Sequence, residues 1–190
     1  MRTLKLLLGA VGLVSVSLAS MSAEAAVKVI GRGFGSVCYE YAKAGQASRE
    51  GVEACNRALS EPSLSPEDRA ATFVNRGILQ MYAKDFAQAL ASYDEALKLE
   101  SGMAEAYVNK GVALVNLGRD AEAVAVISQG LKLNTVRPEI AYYSRGVANE
   151  MLGNMRAAYE DYRQAAALKP EWQDPQTQLQ RFSVVPKGRG

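Results

Sequence analysis

The stretch AEAYVNKGVALVNLGRDAEAVAVISQGLKL, residues 104–133, carries tyrosine at its fourth position, glycine at its eighth, alanine at its twentieth and leucine at its thirtieth. The same residue types recur on both sides of it. Gly77, Gly111 and Gly146 stand 34 and 35 residues apart, and each is followed twelve residues later by an alanine, Ala89, Ala123 and Ala158. A fixed period of this length is the mark of a solenoid built from one repeated helical unit.

With Ala70, Ala104 and Glu139 as first residues, the three copies superimpose position by position. Position four reads Phe73, Tyr107, Tyr142; position 24 reads Tyr93, Ile127, Tyr162; position 27 reads Ala96, Gly130, Ala165; position 30 reads Leu99, Leu133, Leu168. A basic residue, Arg76, Lys110 or Arg145, precedes each glycine. Small residues at eight, 20 and 27 leave no bulk between two antiparallel helices, so the backbones approach while aromatics at four and 24 fill the neighbouring gaps. Each copy therefore reads as a helical hairpin. Gly118 and Gly153 fall at the turn between its helices, where a positive φ is wanted, and Lys84-Asp85 holds that place in the first copy.

The pattern resembles the tetratricopeptide repeat (TPR) family, with its aromatic near position four, glycine at eight, alanines at 20 and 27, an aromatic at 24 and proline at 32. Here position 32 is Ser101, Thr135 and Pro170, and one extra residue lies near residues 134–139. The resemblance implies an all-α, right-handed α-solenoid of helix-turn-helix hairpins over residues 66–170, with repeats 70–103, 104–138 and 139–172. A terminal element must cover the last repeat and show water a polar face. Trp172, Pro175, Leu179 and Phe182 form one apolar stripe, backed by glutamines, so a capping helix is expected over 171–183, followed by a tail, 184–190. Trp172 is read as buried against the last repeat, with a ligand platform as the alternative.

Residues 1–25 are read as a cleavable secretory signal. Arg2 and Lys5 give a positive start, Leu6 to Leu18 form an apolar run, and Ala23-Glu24-Ala25 supplies a small-residue cleavage site, with the cut after Ala25. The run is shorter than the ~20 residues of a membrane anchor, so no stable anchor is expected after cleavage. The product is expected in the periplasm or secreted. Residues 26–35, rich in glycine, are expected as a flexible lead-in.

An oxidising compartment gives meaning to the two cysteines, Cys38 and Cys55. Aligned as a degenerate hairpin over 36–61, the segment between them puts Ala58 at position 27, Cys55 at 24 and Cys38 at seven. Those positions face each other across a hairpin, which predicts a disulfide stapling helix 36–44 to helix 48–60. A redox-active pair is the alternative reading, but reactive dithiols are usually closer together.

Setting aside Arg2, Lys5 and Glu24, the 22 basic and 20 acidic residues fall to 20 and 19. Such a balance gives no footprint for nucleic acid. The chain holds no histidine, which removes the commonest general base and most zinc sites. Neighbouring carboxylates such as Asp94-Glu95 and Glu160-Asp161 are read as solvated on exposed helical faces. No catalytic residue, metal or cofactor is expected, and an enzyme is disfavoured.

What the resemblance implies is binding, on a concave groove lined by the first helix of each hairpin. Mapped onto this sequence, the groove holds Val74, Val108 and Tyr143 at position five, Asn75, Asn109 and Ser144 at six, Ile78, Val112 and Val147 at nine, and Met81, Val115 and Glu150 at 12. Family members that clamp a terminal carboxylate place lysine, asparagine and arginine on groove positions. Positions two, five and nine here hold none of them, since position two reads Ala71, Glu105, Ile140, so that clamp is not expected. Position six looks like the polar ladder by which some members hold the backbone of an extended peptide. The groove is expected to receive a protein or peptide partner, a segment of another envelope protein. The alternative is a self-assembling module, a possible homo-oligomer, whose groove is filled by a second copy or by its own ends, residues 27–30 or 182–186.

Overall fold

In the computed structural model the described residues are 3–5, 26–29 and 33–185. Apart from Thr3–Lys5, the expected signal segment lies outside them. Nine α-helices follow one another among the described residues: α1 Phe34–Ala44, α2 Arg49–Leu59, α3 Pro66–Tyr82, α4 Phe86–Leu99, α5 Ala104–Asn116, α6 Asp120–Lys132, α7 Pro138–Met151, α8 Met155–Leu168 and α9 Gln173–Gln180. The tightest packing is within α3/α4, α5/α6 and α7/α8, and each hairpin rests on the next. The fold is an all-α solenoid. One two-stranded pair accompanies it: β1, Thr3–Lys5, lies antiparallel to β2, Ser183–Val185, in the region expected to begin a tail. No described helix is long and apolar enough to cross a membrane.

Local sequence sets the helix ends. Ser65 Oγ accepts from Asp68 N–H and Pro66 opens α3, so that helix starts with a side-chain cap and a preset φ. Position 15 of each repeat, occupied by Lys84, Gly118 and Gly153, turns left-handed, with φ of 61°, 68° and 77°. The next N–H then returns to a carbonyl near the helix end: Asp85 to Gln80, Arg119 to Leu114 and Asn154 to Asn149. Glycine is favoured there because a Cβ is strained at that φ. Lys84 adopts it all the same.

The glycines at position eight are contact points between paired helices. A Cβ on Gly77 would overlap the Tyr93 ring, one on Gly111 would overlap Ile127 Cγ1, and one on Gly146 would lie 2.9 Å from Tyr162 Cδ1. The residue at 24 thus lies directly on the glycine of its own hairpin. The alanines at 20 and 27 are fully buried beside it.

The basic residues at position seven do more than face solvent. Arg76, Lys110 and Arg145 each reach position 25 of the preceding hairpin: Arg76 donates to Asn56 Oδ1 at 3.0 Å, Lys110 to Asp94 Oδ1 at 2.5 Å, and Arg145 to Ser128 Oγ at 3.0 Å. Arg76 and Arg145 also bond position 23 of their own hairpin, Ser92 at 3.1 Å and Asp161 at 3.0 and 2.7 Å. A polar ladder therefore fastens each hairpin to its neighbour. Asp161 corrects the reading of Glu160-Asp161 as a solvated pair: it is buried, and Asn149 Nδ2 donates to it as well, at 3.1 Å. In the second repeat the corresponding positions 11 and 23 are Leu114 and Val126, whose side chains carry no polar group for such inner bonds.

Cys38 and Cys55 are bonded, with Cα atoms 4.8 Å apart, and join α1 to α2. Both are buried, so the bond belongs to the packing of the end hairpin. Closing 17 residues contributes about 3 kcal/mol in the chain-entropy model. We expect the Cys38→Ser/Cys55→Ser variant to melt roughly 6–12 °C lower. Because hairpins in a solenoid couple to nearest neighbours, hydrogen exchange in that variant should accelerate first in α1 and α2. Uniform acceleration along the chain would contradict this.

At the other end α9 packs on α8. Trp172 is half-buried, its ring 4.8 Å from that of Tyr143, while Phe182 is buried against Tyr159 and Tyr162 at 5.7 and 6.1 Å. The stripe covers the last repeat, as its spacing implied.

Candidate functional site

Positions five, six, nine and 12 of the repeats lie on α3, α5 and α7, the first helices of their hairpins. Most of these side chains are interior. Val74, Ile78, Val108 and Val112 belong to the main core cluster, and Tyr143 and Val147 to a second one beneath Phe182. Met81 and Val115 are partly buried against them. The residues of the strip that keep appreciable exposure are Met81, Asn109, Val115 and Glu150.

Position six separates into three states. Asn75 is fully buried, and its amide is paired with a peptide unit far away in sequence: Val27 N–H donates to Asn75 Oδ1 at 2.9 Å, and Asn75 Nδ2 donates to Val27 O at 2.7 Å. An N–H and a C=O of one residue point the same way only in extended backbone, the arrangement of paired strands. The side-chain amide therefore acts as a strand partner. Asn109, in the next repeat, presents a buried Nδ2 with no hydrogen-bond partner among the described residues. Ser144, in the third, donates to Ile140 O of its own helix at 2.8 Å.

The segment read from sequence as part of a flexible lead-in is thus held on this face over residues 26–29. Ala26 and Val27 are partly buried against the core, Lys28 is exposed, and Val29 is buried beside Gly35 and Thr72. The apolar character of residues 27–30 makes them one of the chain's own candidate inserts for the groove, and Val27 now stands on Asn75. The repeated asparagine at position six marked the place, but it did not say which of the candidate occupants would take it.

Glu150 closes the far end. Its carboxylate accepts from Tyr162 Oη at 2.8 Å and from Arg181 Nη2 at 2.6 Å, which ties the end of α9 to α7. Burial is the main reason that the Tyr93, Tyr143 and Tyr162 phenols are held above their ordinary range, most strongly at Tyr93 and Tyr162. A raised folded-state value means that the unfolded chain releases its protons first, so stability is complete below about pH 10 and falls as pH rises through that value. Each such phenol adds a slope of about 1.4 kcal/mol per pH unit. We expect melting temperature to drop steeply above about pH 10, with Tyr162→Phe flattening the drop; an unchanged profile in that variant would count against the assignment.

Two TPR family models match the chain, over residues 74–135 and 140–171. Serine/threonine-protein phosphatase 5 of Mus musculus is 30% identical over 105 residues, a match covering 55% of this chain and 21% of the phosphatase. The chain thus matches about a fifth of the length of that relative. Among solved structures, that of MamA superimposes with a TM-score of 0.63 at 22% identity, covering 79% of this chain and 82% of that one. The first TPR of Spaghetti (RPAP3), bound to the HSP90 peptide SRMEEVD, superimposes with a TM-score of 0.57 at 21% identity, covering 60% and 90%. The fold is that of a helical-repeat protein. The chain belongs to the tetratricopeptide repeat family.

Proposed function

We propose that this protein is an exported scaffold which holds an extended segment of another envelope protein against α3, α5 and α7, chiefly through main-chain hydrogen bonds to position six. The observation that carries this reading is the contrast between two equivalent asparagines. Asn75 already holds a peptide unit from both sides, whereas the Nδ2 of Asn109 is buried without a partner among the described residues. A buried, unpaired amide costs about 1–3 kcal/mol, and a main-chain carbonyl laid across α5 would remove that cost. Met81 and Val115, partly buried on the same strip of first helices, supply apolar surface for the segment's side chains.

The solved relative bound to an HSP90 peptide supports a peptide partner as the class of ligand. Its acidic peptide is not the chemistry proposed here. Ala71, Val74, Glu105, Val108, Ile140 and Tyr143 at positions two and five supply no cation to a carboxylate, so the partner segment is apolar or amphipathic. Export to the periplasm or beyond is part of the proposal, supported by the leader-like residues 1–25 and by a buried disulfide, which suits an oxidising compartment. A binding role without catalysis fits a chain in which the phosphatase match covers only 21% of the enzyme. The second reading, a groove filled from within, is favoured by the Val27–Asn75 pair and by Trp172 and Phe182 on α7 and α8.

The two readings part at Asn109→Ala. Removing an orphan donor leaves stability unchanged or raises it by about 1 kcal/mol, while a partner that uses the rung is lost. With a photoreactive residue at Val115 in intact cells, we expect a discrete crosslinked envelope protein that disappears in Asn109→Ala, with no fall in melting temperature. Equal capture by both proteins would refute the use of this rung.

A further inference from the structure

The first rung of the ladder is occupied by the protein itself, and its occupant has the features of a ligand. Both hydrogen bonds between Val27 and Asn75 go to main-chain atoms, a pairing that any extended segment can make whatever its side chains. Side-chain burial is shallow over Ala26–Lys28 and becomes complete only at Val29. The segment belongs to no helix, and it joins α1 through Gly33, whose φ of 136° lies outside the range of other residues. Its release therefore requires no helix to unwind.

We propose that Ala26–Val29 is a resident pseudo-ligand: it fills the Asn75 register of the unbound protein, and an extended partner segment displaces it so as to lie across Asn75 and Asn109 together. The proposal rests on the peptide-binding reading above and adds to it a built-in competitor. A tethered competitor acts at an effective concentration in the millimolar range, so it lowers the apparent affinity of any segment using the Asn75 rung. It also raises selectivity, because a segment that reaches only Asn75 gains no more than the resident loses, whereas one that also satisfies Asn109 gains a further bond. In the absence of partner the same segment packs Ala26 and Val27 against the core and keeps Val29 buried.

The test uses a fluorescein-labelled pentapeptide with the sequence of residues 26–30, Ala-Val-Lys-Val-Ile, and fluorescence anisotropy on the disulfide-bonded full chain. Val27→Pro removes the N–H that Asn75 accepts, and Val29→Asp expels the buried side chain, so the double variant releases the segment without touching α3. We expect the double variant to bind the peptide saturably and at least about tenfold more tightly than the unaltered chain, the ratio that a tethered competitor imposes. Adding Asn75→Ala should abolish the gain. Equal binding by released and unaltered proteins, no binding to the released protein, or a gain that survives Asn75→Ala would each overturn the proposal. Should the double variant lose its helical signal, Val27→Pro alone, which alters only the segment's own main chain, answers the same question. The Asn109 crosslinking result is scored separately. If it holds while release brings no gain, the segment is a structural staple and peptide binding stands; if release brings the gain while Asn109-dependent capture is absent, the face serves its own chain and the partner reading falls.

Discussion

Gly111→Ala is expected to destabilise the protein by about 1–3 kcal/mol, although alanine is the better helix former. In an exposed helix the substitution would gain about 1 kcal/mol, so the sign of the effect decides whether packing or propensity rules at this position. The added Cβ would overlap Ile127 Cγ1 and lie 2.8 Å from Ile127 Cδ1 and 3.3 Å from Val126 Cγ2. Ile127 is fully buried and cannot swing into solvent. The strain therefore passes to the spacing of α5 and α6, in the middle repeat, where hairpins pack on both sides. Gly111→Val should be worse still. A double-mutant cycle in urea with Ile127→Ala provides the check: the second truncation alone removes core volume and costs about 2–5 kcal/mol, but combined with Gly111→Ala it should cost at least 1 kcal/mol less than the sum, because the new methyl enters the space vacated. Additive costs would show that the two residues do not meet.

The second large effect is expected at Arg145→Ala, at about 3–5 kcal/mol, as for other buried pairs that lose one partner. Arg145 gives Asp161 a two-pronged contact at 3.0 and 2.7 Å, and the Asp161 side chain is only 7% exposed. The hydrogen bonds to Asp161 are also the leading reason that the guanidinium binds its proton more firmly than usual. Truncation leaves a carboxylate in the interior with Asn149 as its remaining described donor, and cuts the bond to Ser128 that links α7 to the preceding hairpin. Arg145→Lys retains the charge but loses the fork, so its cost should be intermediate. Arg145→Met/Asp161→Leu should recover most of the loss, since replacing a whole buried pair with apolar residues is often neutral or better. If thermal melts rank the double variant below Arg145→Ala, the pair contributes more than mutual neutralisation.

How far the chain can be read without coordinates differs from feature to feature. The turn at position 15 was legible because φ preference is a property of one residue, and Gly118 and Gly153 state it directly; phase put Lys84-Asp85 at the same turn, and the structure shows Lys84 left-handed there. The disulfide was legible through alignment to positions seven and 24, which face each other within one hairpin. Asp161 was misread because its carboxylate looks like any other on a helix until Arg145, sixteen residues earlier, is folded against it. The basic residue before each glycine was visible three times over, yet its reach to position 25 of the preceding hairpin depends on how hairpins stack.

The candidate binding strip shows the same division. Its membership came from the repeat phase, and Asn75, Asn109 and Ser144 were named together as one ladder. Only the folded chain separates them into an occupied rung, one without a partner among the described residues and a side chain bonded to its own helix. The period, the hairpins, the small-residue contacts and the family are determined by sequence, because each follows from residues within one repeat and is written three times. Which surfaces stay open was decided by tertiary structure, since Val27 meets Asn75 across 48 residues and Phe182 closes on Tyr159 and Tyr162 from beyond the last repeat. Such contacts occur once, at the chain's ends: the apolar residues 27–30 and the stripe ending at Phe182 mark candidate inserts in the sequence, but no period says which position of which repeat each one meets.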